Sequence, residues 1–172
     1  MENLVGRTAE QAQIQACINS NRSEFIVVYG RRRVGKTFLI RRFFNDRYDF
    51  SFVGKHNVSK KQQLEEFAKT LQQYSKSSFV PELKDWNDAF DCLKKYLGGI
   101  RRKGKKVVFF DEMPWMDNQK SNFVSELENF WNGWAAMRDD ILFIACGSAT
   151  SWIVEKILHN QGGLFNRVTQ KI

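Results

Sequence analysis

The sequence predicts a doubly wound α/β fold, in which helices flank a parallel β-sheet. Four or five short apolar runs alternate with stretches whose apolar residues recur at helical spacing. This order is typical of parallel strands joined by helices and covered on both faces. Three of the runs end at glycine or at small or acidic polar residues. Since the carboxyl ends of parallel strands form one ligand-binding edge, we expect a site there.

The first apolar run, residues 25–29, leads into a glycine-bounded loop and then a helix. The loop reads G-x-x-x-x-G-K-T, which in this context is typical of a phosphate-binding loop. Gly30 and Gly35 permit close backbone approach, and the N–H groups then converge on a β-phosphate. Lys36 reaches the β- and γ-phosphates, and the Thr37 hydroxyl ligates Mg²⁺. The alternative is a basic turn without a ligand.

The predicted nucleotide contacts of this segment run from the first loop glycine into the helix. They are Gly30, Arg31, Arg32, Arg33, Val34, Gly35, Lys36, Thr37 and Phe38.

A short G-R-x-x-E element lies ahead of the first predicted helix. Gly6 and Arg7 are expected near the adenine and the phosphates, with Glu10 completing the pattern. The other interpretation is structural, since Thr8 is a residue type that caps helix N-termini.

Between the loop and the next strong motif, the sequence predicts a second strand over Tyr48–Val53 and two helices. The first helix starts after Ser59, a residue suited to N-capping, and the second ends near Gly98 and Gly99. Aromatic residues on these helices recur at helical spacing, which favours the core over a base-stacking platform.

A four-residue apolar run, residues 107–110, ends in Asp111 and Glu112. We expect Asp111 to hold the Mg²⁺ shell, directly or through water, and Glu112 to orient and polarise an attacking water. An acidic turn after a buried strand is the alternative, and the phosphate loop earlier in the chain favours the catalytic interpretation.

The last third of the sequence predicts a helix over Ser121–Met137, a strand over residues 141–148, and a further helix over Thr150–Leu158. Ser148 ends the strand, where it is placed either to hydrogen-bond the γ-phosphate or the water, or to cap the next helix. Arg167 lies in a loop before Val168–Ile172, an incomplete last strand.

The composition is that of an ordinary globular protein, with 42% apolar and 27% charged residues and a net charge of +8. No apolar run reaches the length of a membrane helix, no signal peptide is recognisable, and three scattered cysteines indicate neither disulfides nor zinc. These features favour the cytoplasm. The cluster at residues 101–106 is basic, and such clusters are usually solvated.

Together these residues resemble the archaeal-type ATPase family, among phosphate-loop ATPases of AAA-type and signal-transducing (STAND) strand order. The matching strings are Gly6-Arg7 with Glu10, YGRRRVGKT, DExPW from Asp111, CGSATSW, and residues 162–167. The resemblance implies one ATPase core over residues 1–172, with the winged-helix-like segment and further domain of relatives absent. It also implies that Ser148 is a sensor residue and that Arg167 is an arginine finger, acting on a neighbouring subunit or after a domain rearrangement. A local salt bridge is the alternative role of Arg167.

The sequence thus predicts binding of ATP with Mg²⁺ and its hydrolysis, with a role as a molecular switch. A non-hydrolysing module that binds ATP or ADP, and a DNA-associated motor, remain alternatives. ATP is favoured over GTP because the N-K-x-D guanine motif is absent. We further expect self-association through the surface around Arg167 or through an exposed sheet edge. DNA binding is possible, but no recognised sequence motif indicates it.

Overall fold

The computed structural model describes residues 6–118, 120–148, 150–159 and 161–172. Five parallel strands form one sheet: β1 (Glu24–Tyr29), β2 (Phe50–Val53), β3 (Lys106–Asp111), β4 (Ile141–Gly147) and β5 (Gln170–Lys171). Their order is β2-β3-β4-β1-β5, so β4 lies between the loop-bearing β1 and the acidic β3. The predicted doubly wound parallel sheet is confirmed.

In the described ranges, α1 (Thr8–Asn19) precedes β1, and the strands are connected by α2 (Lys36–Phe44), α3 (Lys60–Ser75), α4 (Trp86–Gly99), α5 (Phe123–Gly133) and α6 (Thr150–Ile153). Short 3-10 turns span Met113–Met116 and Ala135–Met137, and a π-helical turn spans Val154–Leu158. In the described part of the chain, no helix is both long enough and apolar enough to cross a bilayer.

Two hydrophobic clusters lie on opposite faces of the sheet, because side chains alternate along each strand. Phe25 and Val27 face the larger, aromatic-rich cluster under α3, α4 and α5, while Ile26 and Val28 face the cluster under α1 and α2. The helical aromatic stripes therefore form core, as predicted. Trp86, for example, is fully buried and packs edge-on against Phe67.

Several helix boundaries differ from the predictions. The helix predicted over Ser121–Met137 is α5, which ends at Gly133, where a residue of low helix propensity precedes the non-helical backbone of Trp134. The structural alternative for the N-terminal element, in which Thr8 caps α1, does not hold. The N-cap is Arg7, in the left-handed region at φ 51°, and Thr8 is the first helical residue. The predicted cap of α3 is confirmed, since Ser59 and Gln62 form a capping box.

The last residues of the chain pair with β1 and cover its outer edge. Ile172 donates its N–H to the Val27 carbonyl and accepts from the Tyr29 N–H, at 2.9 and 3.0 Å. The outer edge of the sheet on this side therefore belongs to β5 rather than to β1.

The expectation that the basic cluster at residues 101–106 is simply solvated is wrong for Lys105 and Lys106, whereas Arg102 is exposed and also forms an ion pair. Lys105 and Lys106 are buried, and Lys105 donates to backbone carbonyls. Lys106 pairs with Asp140 at 2.8 Å, and Arg102 pairs with Asp49 at 2.6 Å. These cations join neighbouring strand ends, so much of the cluster's charge stabilises the sheet.

Asp140 is the acceptor at the centre of one of these networks, before β4. Hydrogen bonds from Arg138, at 2.8 Å to each carboxylate oxygen, and from Lys106 lower the pKa of Asp140 from 3.8 to about 2. A carboxylate whose pKa is lowered by folding stabilises the folded state above its unfolded pKa. That contribution is lost as the pH falls from 3.8 towards 2.

We expect Asp140→Asn to lower the free energy of unfolding by about 2 kcal/mol at pH 7, and by much less near pH 2. The reason is loss of the charged acceptor beside the buried Lys106. Urea unfolding at both pH values measures the difference, and Asp139→Asn, the same change at the exposed neighbouring position, is the matched control. Equal destabilisation by the two variants, or a cost at pH 2 as large as at pH 7, would contradict the assignment.

Candidate active site

The loop after β1 supplies a backbone cradle at the carboxyl edge of the sheet. Gly30 and Gly35 have φ angles of 140° and 81°, which glycine adopts without the strain that a Cβ imposes. Gly35 is also the N-cap of α2, and among the described residues no side chain caps this helix. Because the first N–H groups of a helix lack internal partners, the start of α2 is suited to an anion.

Lys36 brings a positive charge to this cradle. The residue is 8% exposed, and its ammonium donates to the carbonyls of Gly30 and Arg31 at 3.1 and 2.6 Å. The lysine therefore spans the loop from within, while the three arginines before it are exposed.

The next side chain connects the loop to β3. The Thr37 hydroxyl donates to Asp111 Oδ1 at 3.2 Å, and the same oxygen accepts from the backbone N–H of Glu112 at 2.9 Å. A hydroxyl and a carboxylate at this distance are hard oxygen donors of the kind Mg²⁺ prefers. Within the described residues, no group of three or more His, Cys, Asp or Glu side chains could hold a metal. The remaining ligands of an ion here would be water or phosphate oxygens, as is usual for Mg²⁺.

Cys146, near the end of β4, is a member of this site that sequence reasoning missed. Burial, together with the neighbouring Asp111 carboxylate, raises the pKa of the Cys146 thiol, so the thiol stays neutral beside the carboxylate. The signal in the sequence was its position two residues before Ser148, at the end of the same apolar run.

A cavity of about 580 Å³ opens between the loop and the strand ends. One wall comes from the loop and the start of α2, and the facing wall comes from the turns after β2, β3 and β4. The lining residues are Arg32, Arg33, Gly35, Lys36, Thr37 and Phe38 on one side, and His56, Glu112, Trp115 and Ser148 on the other.

The turn that carries Glu112 is held between two glycines of neighbouring strand ends. A Cβ at Gly54 would lie 2.4 Å from the Glu112 carbonyl oxygen, and one at Gly147 would lie 2.6 Å from the Pro114 ring. Glu112 itself has φ 49°, so the chain turns sharply as it leaves β3. Close packing on both sides thus fixes the direction in which this carboxylate leaves the sheet.

Most predicted site residues converge at this edge of the sheet. Arg7 lies beside the loop, where its guanidinium donates to the Val34 carbonyl. Gly6 accepts a hydrogen bond from the Gln11 amide at 2.8 Å and does not line the cavity. Arg31 and Val34 are exposed on the outer side of the loop.

Arg167 is not brought to the cavity. Its side chain is exposed, and its backbone N–H donates to the Leu164 carbonyl in the turn before β5. Of the CGSATSW string, Ala149 lies outside the described residues, as do Leu4 and Val5 of the N-terminal element. His56 and Trp115 line the cavity but were not among the predicted site residues, although Trp115 ends the DExPW string.

Comparison with known proteins agrees with this geometry. A model for a family of ATPase domains predominantly from Archaea matches residues 4–170. The uncharacterized protein MJECL04 of Methanocaldococcus jannaschii is 28% identical over 169 residues, which cover 96% of this chain and 34% of that protein. The uncharacterized ATP-binding protein MJ0423 of the same organism is 42% identical over 44 residues, covering 26% of this chain and 75% of that protein.

Among solved structures, the Walker-type ATPase PABY2304 of Pyrococcus abyssi superposes with a TM-score of 0.61 at 17% identity, covering 99% of this chain and 53% of that one. A chain of the Drosophila ORC bound to DNA gives a TM-score of 0.56 at 13% identity, covering 91% and 82%. At identities this low, the superpositions show a shared fold. The chain spans about a third of MJECL04 and about half of PABY2304.

Proposed function

Because the chain belongs to the family of ATPase domains found predominantly in Archaea, we propose that it binds ATP with Mg²⁺ and hydrolyses it as a molecular switch. Family membership identifies the chain as a nucleotide-binding ATPase domain. The binding of Mg²⁺, the hydrolysis and the switch role are what we propose. The observation that carries the proposal is the cavity in which the cationic loop faces Glu112 and Ser148.

Binding is assigned to the loop wall. The N–H groups at the start of α2 and the Lys36 ammonium neutralise the β- and γ-phosphates, with Arg32 and Arg33 at the mouth of the cavity. Arg7, bonded to the loop carbonyl of Val34, positions the loop from the α1 side. The exposed Phe38 ring offers an apolar surface next to the phosphates.

Thr37 and Asp111 fit the metal site, since their oxygens lie 3.2 Å apart at the foot of the loop. When bound, Mg²⁺ supplies charge neutralisation between the β- and γ-phosphates. The N–H of Glu112 fixes the Asp111 carboxylate through its 2.9 Å hydrogen bond, so the carboxylate is oriented by the same turn that presents Glu112.

Hydrolysis is assigned to the facing wall. Glu112 holds a water by hydrogen bonding and accepts its proton as the water oxygen bonds to the γ-phosphorus. The bond from that phosphorus to the β–γ bridging oxygen breaks, and its electron pair stays on ADP while inorganic phosphate forms. Ser148, on the same wall, donates its hydroxyl to a γ-phosphate oxygen.

Lys36→Ala should abolish ATP binding, because it removes the one buried ammonium in the described part of the loop. Isothermal titration of the variant with ATP and Mg²⁺ measures this, with wild type as reference. Lys61→Ala is the control, since Lys61 is an exposed lysine on α3. An affinity for ATP equal to that of wild type in Lys36→Ala would remove the basis of the proposed site.

Glu112→Gln should retain ATP binding but slow phosphate release by about 10²–10⁴-fold, the usual contribution of a positioned general base. Phosphate release at saturating ATP measures turnover, and Glu65→Gln on the exposed surface of α3 is the control. Unchanged turnover would show that another group handles the water. A wild type that binds ATP without releasing phosphate would favour the non-hydrolysing regulatory module.

The proposed finger Arg167 would have to act on a neighbouring copy, because it is exposed and outside its own cavity. Its loop is anchored by the buried Leu164 and by a 2.5 Å hydrogen bond from the Asn132 amide to the Gly163 carbonyl. Anchoring of this kind keeps the backbone in place while the guanidinium stays available.

Arg167→Ala should therefore lower turnover per chain by up to about 10³-fold, towards the lower end of the effect of an arginine finger. Mixing it with Lys36→Ala should restore turnover, because one variant then contributes the site and the other the arginine. Arg101→Ala, at an exposed position, is the control. Full activity of Arg167→Ala alone, or no recovery on mixing, would reject action between copies.

A further inference from the structure

His56 and Trp115 line the cavity beside Glu112 and have no role in the mechanism above. His56 follows β2, and Trp115 lies in the 3-10 turn after β3. Their ring centroids are 4.0 Å apart and their planes are inclined at 59°. The histidine is exposed, so its ring packs against the tryptophan while remaining reachable from the cavity.

A buried glutamine joins the two segments that carry these rings. Gln63, fully buried in α3, donates to the Lys55 carbonyl at 2.6 Å and to the Trp115 carbonyl at 2.8 Å. Its amide oxygen accepts from the Lys55 N–H at 3.1 Å. A buried amide that makes three hydrogen bonds is costly to displace, because each unsatisfied partner would carry a desolvation penalty.

Two further contacts hold the segment after β2 against the turn after β3. Asn118 donates from its side chain to the Val58 carbonyl at 3.1 Å. Gly54 approaches the Glu112 carbonyl so closely that a Cβ there would lie 2.4 Å from it. The position of the His56 backbone is therefore fixed relative to Glu112 and Trp115.

We propose that His56 contacts the γ-phosphate, so that it distinguishes a nucleoside triphosphate from a diphosphate, with Gln63 and Trp115 as its positioning residues. This inference rests on the proposed function. A β-phosphate held by Lys36 leaves the γ-phosphate directed at the facing wall, which His56 shares with Glu112 and Ser148. An imidazole N–H donates to phosphate oxygens, and such charge-assisted hydrogen bonds are stronger than neutral ones.

The competing interpretation is that His56 only packs on Trp115. A packing role predicts equal effects on every nucleotide, whereas a γ-phosphate contact predicts a selective one. Contact with the base or with the α- and β-phosphates would also affect ADP and ATP alike. Comparing a triphosphate with a diphosphate therefore separates these interpretations.

The experiment titrates the chain with the non-hydrolysable ATP analogue AMP-PNP and with ADP, each with Mg²⁺. His56→Ala should weaken AMP-PNP binding by about 10- to 100-fold, the range for a hydrogen bond to a charged group, and leave the ADP affinity unchanged. His56→Gln, which keeps an N–H donor, should recover part of the loss. His159→Ala, at the other histidine, which is exposed and outside the cavity lining, should bind both nucleotides as wild type does.

Gln63→Met tests the positioning role and should produce the same selective loss. If this variant fails to fold, Asn118→Ala removes the other side-chain hydrogen bond between the segments and should weaken AMP-PNP relative to ADP. Thermal unfolding without nucleotide identifies any folding defect separately from the binding ratio.

A loss shared equally by AMP-PNP and ADP, or no loss for His56→Ala, overturns the inference and leaves the proposed function intact. Failure of wild type to bind either nucleotide, or unchanged binding in Lys36→Ala, overturns the proposed function and this inference with it.

Discussion

The register of the three central strands is the constraint on which the site depends. Tyr29 of β1 pairs with Gly147 of β4, and Ala145 of β4 pairs with Phe110 of β3. This alignment ends the three strands at nearly the same level. Thr37 and Asp111, 74 positions apart in sequence, therefore meet at 3.2 Å. A shift of two residues between parallel strands would separate them by about 7 Å.

Close packing, more than side-chain chemistry, holds the wall of the cavity that carries Glu112 in place. The turn after β3 packs so closely against Gly54 and Gly147 that a Cβ at either position would collide with it. The turn in consequence has little freedom to move without moving the ends of β2 and β4. Protein interiors at this density shift as packed units. A ligand that displaces Glu112 would therefore act on both neighbouring loops, and Gln63 provides a connection to α3.

The sequence was sufficient to predict the fold class and the approach of Asp111, Glu112 and Ser148 to the glycine-bounded loop, because strand ends and such a loop are local patterns. It could not predict the partners of Gln63, which depend on two loops meeting in space. The role of Gly54 was equally hidden, since it needs no unusual φ and is required only by an approaching carbonyl. The residue type of Thr8 offered helix capping as an alternative, but Arg7 is the N-cap and its guanidinium reaches the loop.

The basic residues behind the net charge of +8 include two groups with different consequences. Buried Lys105 and Lys106 and the paired Arg102 neutralise strand ends and backbone carbonyls, so they stabilise the sheet. The loop concentrates other cations, residues 31–33 and Lys36, within six positions. Like charges this close repel one another, and a compact polyanion seated among them would relieve that repulsion. The effect weakens for exposed groups beyond about 8 Å at physiological salt. The local density of positive charge at the loop, rather than the total charge, therefore favours a phosphate ligand at this site.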